Sequence, residues 1–96
     1  MYQVVKRDGS VVEFEISKIS AAMIKAFDAV GKNYHPSVVN LLALQVCADF
    51  DPKIHDGKIA VEDIQDSVEC VLSASGYADV AKAYILYRKQ REKVRN

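Results

Sequence analysis

Three groups of side chains have the types and spacing to do chemistry. The first is cationic. Lys6 and Arg7 stand side by side in "VVKRDGS", just before an Asp8-Gly9 turn, and Lys18 opens the next apolar run. In the first turn of a helix a lysine meets the positive end of the helix dipole, where acids or bound anions are preferred. With Lys6 and Arg7 arriving from the adjacent strand, and the first-turn amides pointing the same way, the cluster suits a polyphosphate. The second group lies near the other end. Arg88 and Arg91 are three apart and share a helix face, as do Tyr84 and Tyr87. A basic helix end complements its own dipole, so these arginines become ligands only if that helix ends near the hairpin. The third group holds the residues that could catalyse. Cys47 and Cys70 sit in apolar helix-like runs and read as buried thiols in a reducing compartment. His35 and His55 fall in loops without an obvious partner, and Glu13 and Glu15 read as a solvated strand face. No Cys/His spacing suggests zinc. The chemistry in view is anion binding rather than catalysis.

These residues need elements to hold them. Tyr2 to Ile16 reads as a β-hairpin around Asp8-Gly9. With those two residues as the whole loop, Arg7 faces Ser10 and Val5 faces Val12. Alternation then puts Val5, Val12, Phe14 and Ile16 on one face, and Val4, Lys6, Val11, Glu13 and Glu15 on the other. It also sends Lys6 and Arg7 to opposite faces, so both reach one phosphate only through a bulge, a curled side chain or a ligand that wraps the strand end. Ser17 is the expected N-cap of a first helix whose apolar positions run from Ile19 to Val30, with Gly31 ending it. His35-Pro36-Ser37 starts a second helix. Val38, Leu41 and Leu44 widen its apolar stripe, making it the expected most-buried helix, and Asp51-Pro52 stops it. Lys58-Ile59-Ala60 is a candidate third strand. A third helix turns Val61, Ile64, Val68, Val71 and Leu72 inward and breaks at Ser75-Gly76. The fourth runs from about Tyr77 to Val94, with Val80, Ala81, Tyr84 and Tyr87 as its apolar side. The expected fold is α+β: a four-helix cluster capped by a small N-terminal hairpin or three-stranded sheet, in one domain over 1–96, with the sheet from 1–16 plus about 58–60 and the helices from 17–57 and 61–96.

Composition narrows the classes. Ninety-six residues suit one small domain, and thirteen cations balance thirteen acids, which disfavours a globally basic nucleic-acid binder. The charge is uneven: residues 82–96 carry six cations against Glu92 alone, while acids dominate from Asp49 to Glu69. Such asymmetry steers an anion toward one end. No signal peptide or membrane-length apolar run is visible, so the chain reads as cytoplasmic with no membrane partner.

Three stretches in this order, "VVKRDGSVVEFEISKI", "VEDIQDSVE" and "AKAYILYRKQR", resemble the ATP-cone, the nucleotide-sensing regulatory module of ribonucleotide reductases. The opening and the "YILYR" close look most like the anaerobic, glycyl-radical class. A transcriptional repressor of reductase genes carries the same module behind a zinc ribbon with paired cysteines, and no such pair is present here. The resemblance implies four helices under a three-stranded lid. It also implies an adenine nucleotide between lid and helices, ATP activating and dATP inhibiting an attached enzyme, with any Mg²⁺ entering alongside the nucleotide. Its partners would be the reductase catalytic region and neighbouring cones in an oligomer.

By position, the resemblance assigns Lys6, Arg7 and Lys18 to the phosphates, with Ile19 beside them. Val4 or Val5, and Phe14, would lie against the base, and Glu15 near the adenine amine. Val61 and Gln65 would face sugar and phosphates, and Tyr87, Arg88 and Arg91 would close the site. Some members have threonine where Val61 stands, histidine where Gln65 stands and a lid glutamate where this chain has Val12. Some hold two nucleotides per cone. A helical interaction domain that binds no nucleotide is the plainest rival.

Overall fold

A computed structural model describes residues 2–95, with side chains described as far as Gln90. The order is β1 (Gln3–Val5), β2 (Val11–Glu13), α1 (Ile16–Ala29), α2 (Pro36–Phe50), a 3-10 turn (Asp51–Lys53), β3 (Lys58–Ala60), α3 (Val61–Ala74) and α4 (Ala78–Arg95). The fold is α+β, as expected.

The hairpin differs from expectation by one residue. Gln3 pairs with Glu13, Val4 with Val12 and Val5 with Val11. The loop is Arg7-Asp8-Gly9: Gly9 N–H donates to Lys6 O (2.9 Å) and Lys6 N–H to Ser10 O (2.8 Å). Gly9 takes φ +88°, the left-handed step that closes a three-residue loop. Asp8 Oδ1 accepts from Ser10 N (2.9 Å) and Oγ (2.6 Å), which fixes the turn. One extra loop residue moves every β1 side chain to the other face relative to β2. Val4 therefore turns inward with Val12, and Val4, not Val5, is buried. The two-residue loop occurs instead at Asp56-Gly57. Both residues there have positive φ (53° and 70°), and His55 and Lys58 exchange two 2.9 Å backbone bonds.

Strand β3 joins the opposite side of β1 in parallel, Val4 beside Ile59 and Val5 beside Ala60, giving the order β2-β1-β3. It runs straight into α3. The outgoing end of β1, where Arg7 sits, thus lies over the first turn of α3.

Beneath the sheet the helices form a ring: α1 packs on α2 and α4, and α3 packs on the same two. Met23, Phe27, Val46, Phe50, Leu72 and Val80 are fully enclosed. Tyr2 and Phe14 stack at 4.6 Å and both meet the edge of Phe50 at 5.8 Å, tying sheet to α2. Lys32 bridges to Asp79 in the first turn of α4 (3.1 Å) and lies over Tyr77. This hydrogen bond holds the Asp79 carboxyl below its ordinary value, and the local amide bond from Val80 adds to it.

Three further expectations are corrected. Ser17 lies inside α1; Glu15 holds the N-cap position in extended conformation and makes no side-chain cap bond. Leu41 and Leu44 are 54% and 60% exposed, so α2 shows a leucine edge to solvent rather than being the most buried helix. Helical period places 41 and 44 about 100° from the buried stripe of Val39, Leu42, Ala43 and Val46. Cys47 is half-buried and Cys70 exposed, so the thiols are not a buried pair. At α2's start, by contrast, His35 accepts from Ser37 N through Nδ1 (3.2 Å) and Pro36 occupies the first turn, as the sequence suggested. Asp51-Pro52 ends α2 by tightening it into the 3-10 turn rather than cutting it off.

Candidate functional site

Between the inner face of the sheet and helices α1, α3 and α4 lies a cavity of about 400 Å³. That is within the roughly 300–1,000 Å³ of small-molecule sites. Its walls divide by chemistry. Val4, Val12 and Phe14 form an apolar ceiling. Ile19, Ala22, Ile64, Val68 and Tyr84 form the floor. Lys6, Lys18 and Lys25 bring three ammonium groups, with Glu13, Glu15 and Gln65 as the acceptors among them.

Each cation arrives for a local reason. Lys6 shares the inward parity of Val4 and follows the last residue of β1. Lys18 occupies the first turn of α1 and pairs with Glu15 at 3.3 Å. Both members are more than half exposed (66% and 56%), so the pair is weak and exchangeable. Lys25 stands seven residues further along the same face of α1, with its ammonium 5.5 Å from the centroid of Tyr87. Sequence reasoning missed Lys25. Its signal was the seven-residue interval from Lys18, two turns that return to one face. Tyr84 beneath is 5% exposed, and burial pushes its hydroxyl up to about 12. The added coulombic push from Glu69 is opposed by Arg88.

Of the residues singled out in the sequence, Val4, Lys6, Phe14, Glu15, Lys18, Ile19, Val61, Gln65 and Tyr87 line this one cavity. Val5 does not, because the register turns it outward. Arg7 does not line it either, but its place in the turn frees it from strand alternation. It reaches α3, where Nη2 donates to Gln65 Oε1 (3.0 Å) and Nη1 pairs with Glu62 Oε2 (3.1 Å). Arg88 is held away from the cavity. Its Nη1 donates to Asp66 Oδ1 (2.9 Å) and Glu69 Oε1 (2.7 Å), with only 16% of the side chain exposed. Burial opposes its charge, yet these bonds outweigh it and hold the guanidinium above its ordinary value. The side chain of Arg91 lies outside the described residues. Among the described residues no group of His, Cys, Asp and Glu could hold a metal ion, and no helix is long and apolar enough to cross a membrane.

Residues 2–93 match the ATP cone domain family. The chain belongs to the ATP-cone family. It is 45% identical over 97% of its length to a vitamin B12-dependent ribonucleoside-diphosphate reductase of Thermoplasma acidophilum. Identity to the ribonucleoside-diphosphate reductase subunit alpha of Chlamydia trachomatis is 44% over 97% of the chain. For an anaerobic ribonucleoside-triphosphate reductase of Haemophilus influenzae it is 38% over 98%. In these relatives the ATP-cone is a small part: the match covers 12%, 10% and 13% of their lengths respectively.

Proposed function

We propose that the cavity binds the triphosphate of an adenine nucleotide, ATP or dATP, as an allosteric effector of a ribonucleotide reductase. The observation that carries this reading is the division of the cavity wall. A flat apolar ceiling lies over one part, and lysines from β1 and α1 enter the same space. A base and a polyanion joined in one ligand match that division. In this reading the base packs against Val4, Val12 and Phe14, and Glu15 accepts from the exocyclic amine after releasing Lys18. Lys6 and Lys18 meet the phosphates, with any Mg²⁺ carried in by the nucleotide. Val61 and Gln65 face the sugar.

The domain itself performs no chemistry. Its output is the arrangement of sheet and helices, passed to an attached catalytic region or to neighbouring cones. A nucleotide shifts such a balance only through unequal affinity for its two arrangements. ATP and dATP differ by one hydroxyl, so their discrimination rests on polar groups at the ribose or on a change in the number of nucleotides held. The opening and closing motifs favour the anaerobic class, and the similar proteins include an anaerobic reductase at 38% identity beside a vitamin B12-dependent one at 45%. Calorimetric titration of this chain with ATP and with dATP tests the reading. Saturable heat from both is expected, and no binding of either at millimolar concentration sinks it.

A further inference from the structure

One face of α3 carries Glu62, Gln65, Asp66 and Glu69, spaced so that they form a single stripe. Among the described residues, that stripe holds both Arg7 and Arg88. Arg7 is bound by Glu62 and Gln65, and Arg88 by Asp66 and Glu69. The two attachments differ in kind. Arg88 meets two carboxylates at 2.9 and 2.7 Å in a half-buried setting, an arrangement that stays put. Arg7 meets Glu62 at 3.1 Å, and these two side chains are 32% and 39% exposed. Such a pair is weak and exchanges readily.

Gln65, which accepts from Arg7, lines the cavity, so the guanidinium sits at the cavity rim with Glu62 beside it. A carboxylate and a phosphate offer a guanidinium the same paired oxygen acceptors. We propose that Glu62 is an internal competitor for Arg7 that a ligand phosphate must displace, and that it sets the affinity of the site. Glu62 acts through Arg7 and need not touch the ligand. The inference rests on the nucleotide reading above. On binding, Arg7 exchanges one oxyanion for another, and the released Glu62, in the first turn of α3, stays satisfied by the positive end of that helix.

The test is calorimetry with MgATP on four forms of this chain: the unaltered protein, Glu62→Gln, Arg7→Ala and the double variant. Glutamine keeps the shape of Glu62 but competes weakly for the guanidinium. The expected result is ATP binding about two- to fivefold tighter in Glu62→Gln, the range an exposed ion pair is worth, and no gain from the same change in the Arg7→Ala background. An equal gain in both backgrounds would mean plain repulsion between Glu62 and the phosphates, and overturns the exchange. Unchanged or weaker binding in Glu62→Gln, with the unaltered chain still binding ATP, overturns this inference and leaves the nucleotide reading standing. No ATP binding by any form overturns both. Thermal melts of the four forms serve as the folding control.

Discussion

Lys6 and Lys18 enter the cavity from different elements, so neither substitutes for the other in geometry. Each is exposed enough to be removed without opening the core. A Lys6→Ala/Lys18→Ala double variant is expected to keep its melting temperature within a few degrees and to lose ATP affinity. Charge-assisted contacts are worth roughly 1.5–3 kcal/mol each, so the combined loss is about a hundredfold or more, read by calorimetry. Unchanged affinity would favour a helical interaction domain instead. Arg7 shows what sequence alone can and cannot read at this scale. Its type and place beside Lys6 were visible. Its direction was not, because that depends on whether the loop has two residues or three. Tyr84 supplies a pH test. Its hydroxyl lies at about 12 in the fold against an ordinary 10.0. The fold therefore favours the neutral phenol. That contribution is complete below pH 10, falls as pH rises, and is gone above about 12, amounting to at most about 2–3 kcal/mol across the window. Tyr84→Phe is expected to show a smaller fall in urea midpoint between pH 9 and 11 than the unaltered chain. Part of the fall persists, because burial and the neighbouring Cys47 also raise Tyr2 to about 12.

At the level of elements, all four helices and all three strands were legible as apolar periods between Gly, Pro and Asp signals. Register and caps were not. Asp-Gly occurs at 8–9 and at 56–57, and the dipeptide alone does not choose the loop. At 56–57 both residues adopt positive φ; at 8–9 only Gly9 does, while Asp8 bonds forward to Ser10. The outcome is settled by which register buries Val4 against Ile59, a strand some fifty residues away that no local pattern contains. Likewise Ser17 is a good cap by type, but α1 begins earlier, at Ile16. Two substitutions separate these cases. Gly9→Ala meets no atom within 4 Å, so its cost is backbone strain alone, about 1–2 kcal/mol. Ser17→Ala removes no cap bond and is expected to stay within about 0.5 kcal/mol, where a true serine cap would cost about 1 kcal/mol. Urea unfolding of both variants measures the difference.

For the whole molecule, the cavity draws its walls from the sheet, α1, α3 and α4, so a ligand there ties the folding of one part to another. Nine of the thirteen site residues suggested by the sequence meet in that one space. Of the other four, Val5 was misplaced by register, Arg7 and Arg88 are engaged by the acidic face of α3, a three-dimensional neighbour, and the side chain of Arg91 lies outside the described residues. A bound nucleotide at about a hundred times its Kd adds roughly 2.7 kcal/mol to stability. For a domain of this size that is a rise in Tm of roughly 10–20 °C, measurable in a melt with and without ATP. The sheet order β2-β1-β3 has one more consequence. Strand β1 is central, yet its second neighbour, at Lys58–Ala60, follows it in the chain only after two helices. An isolated two-stranded hairpin is marginal in water. During synthesis the β1–β2 hairpin therefore waits for a later segment before it can settle. The roof is finished after much of the house, and the proposed nucleotide site has no complete walls until α3 and α4 have followed the sheet.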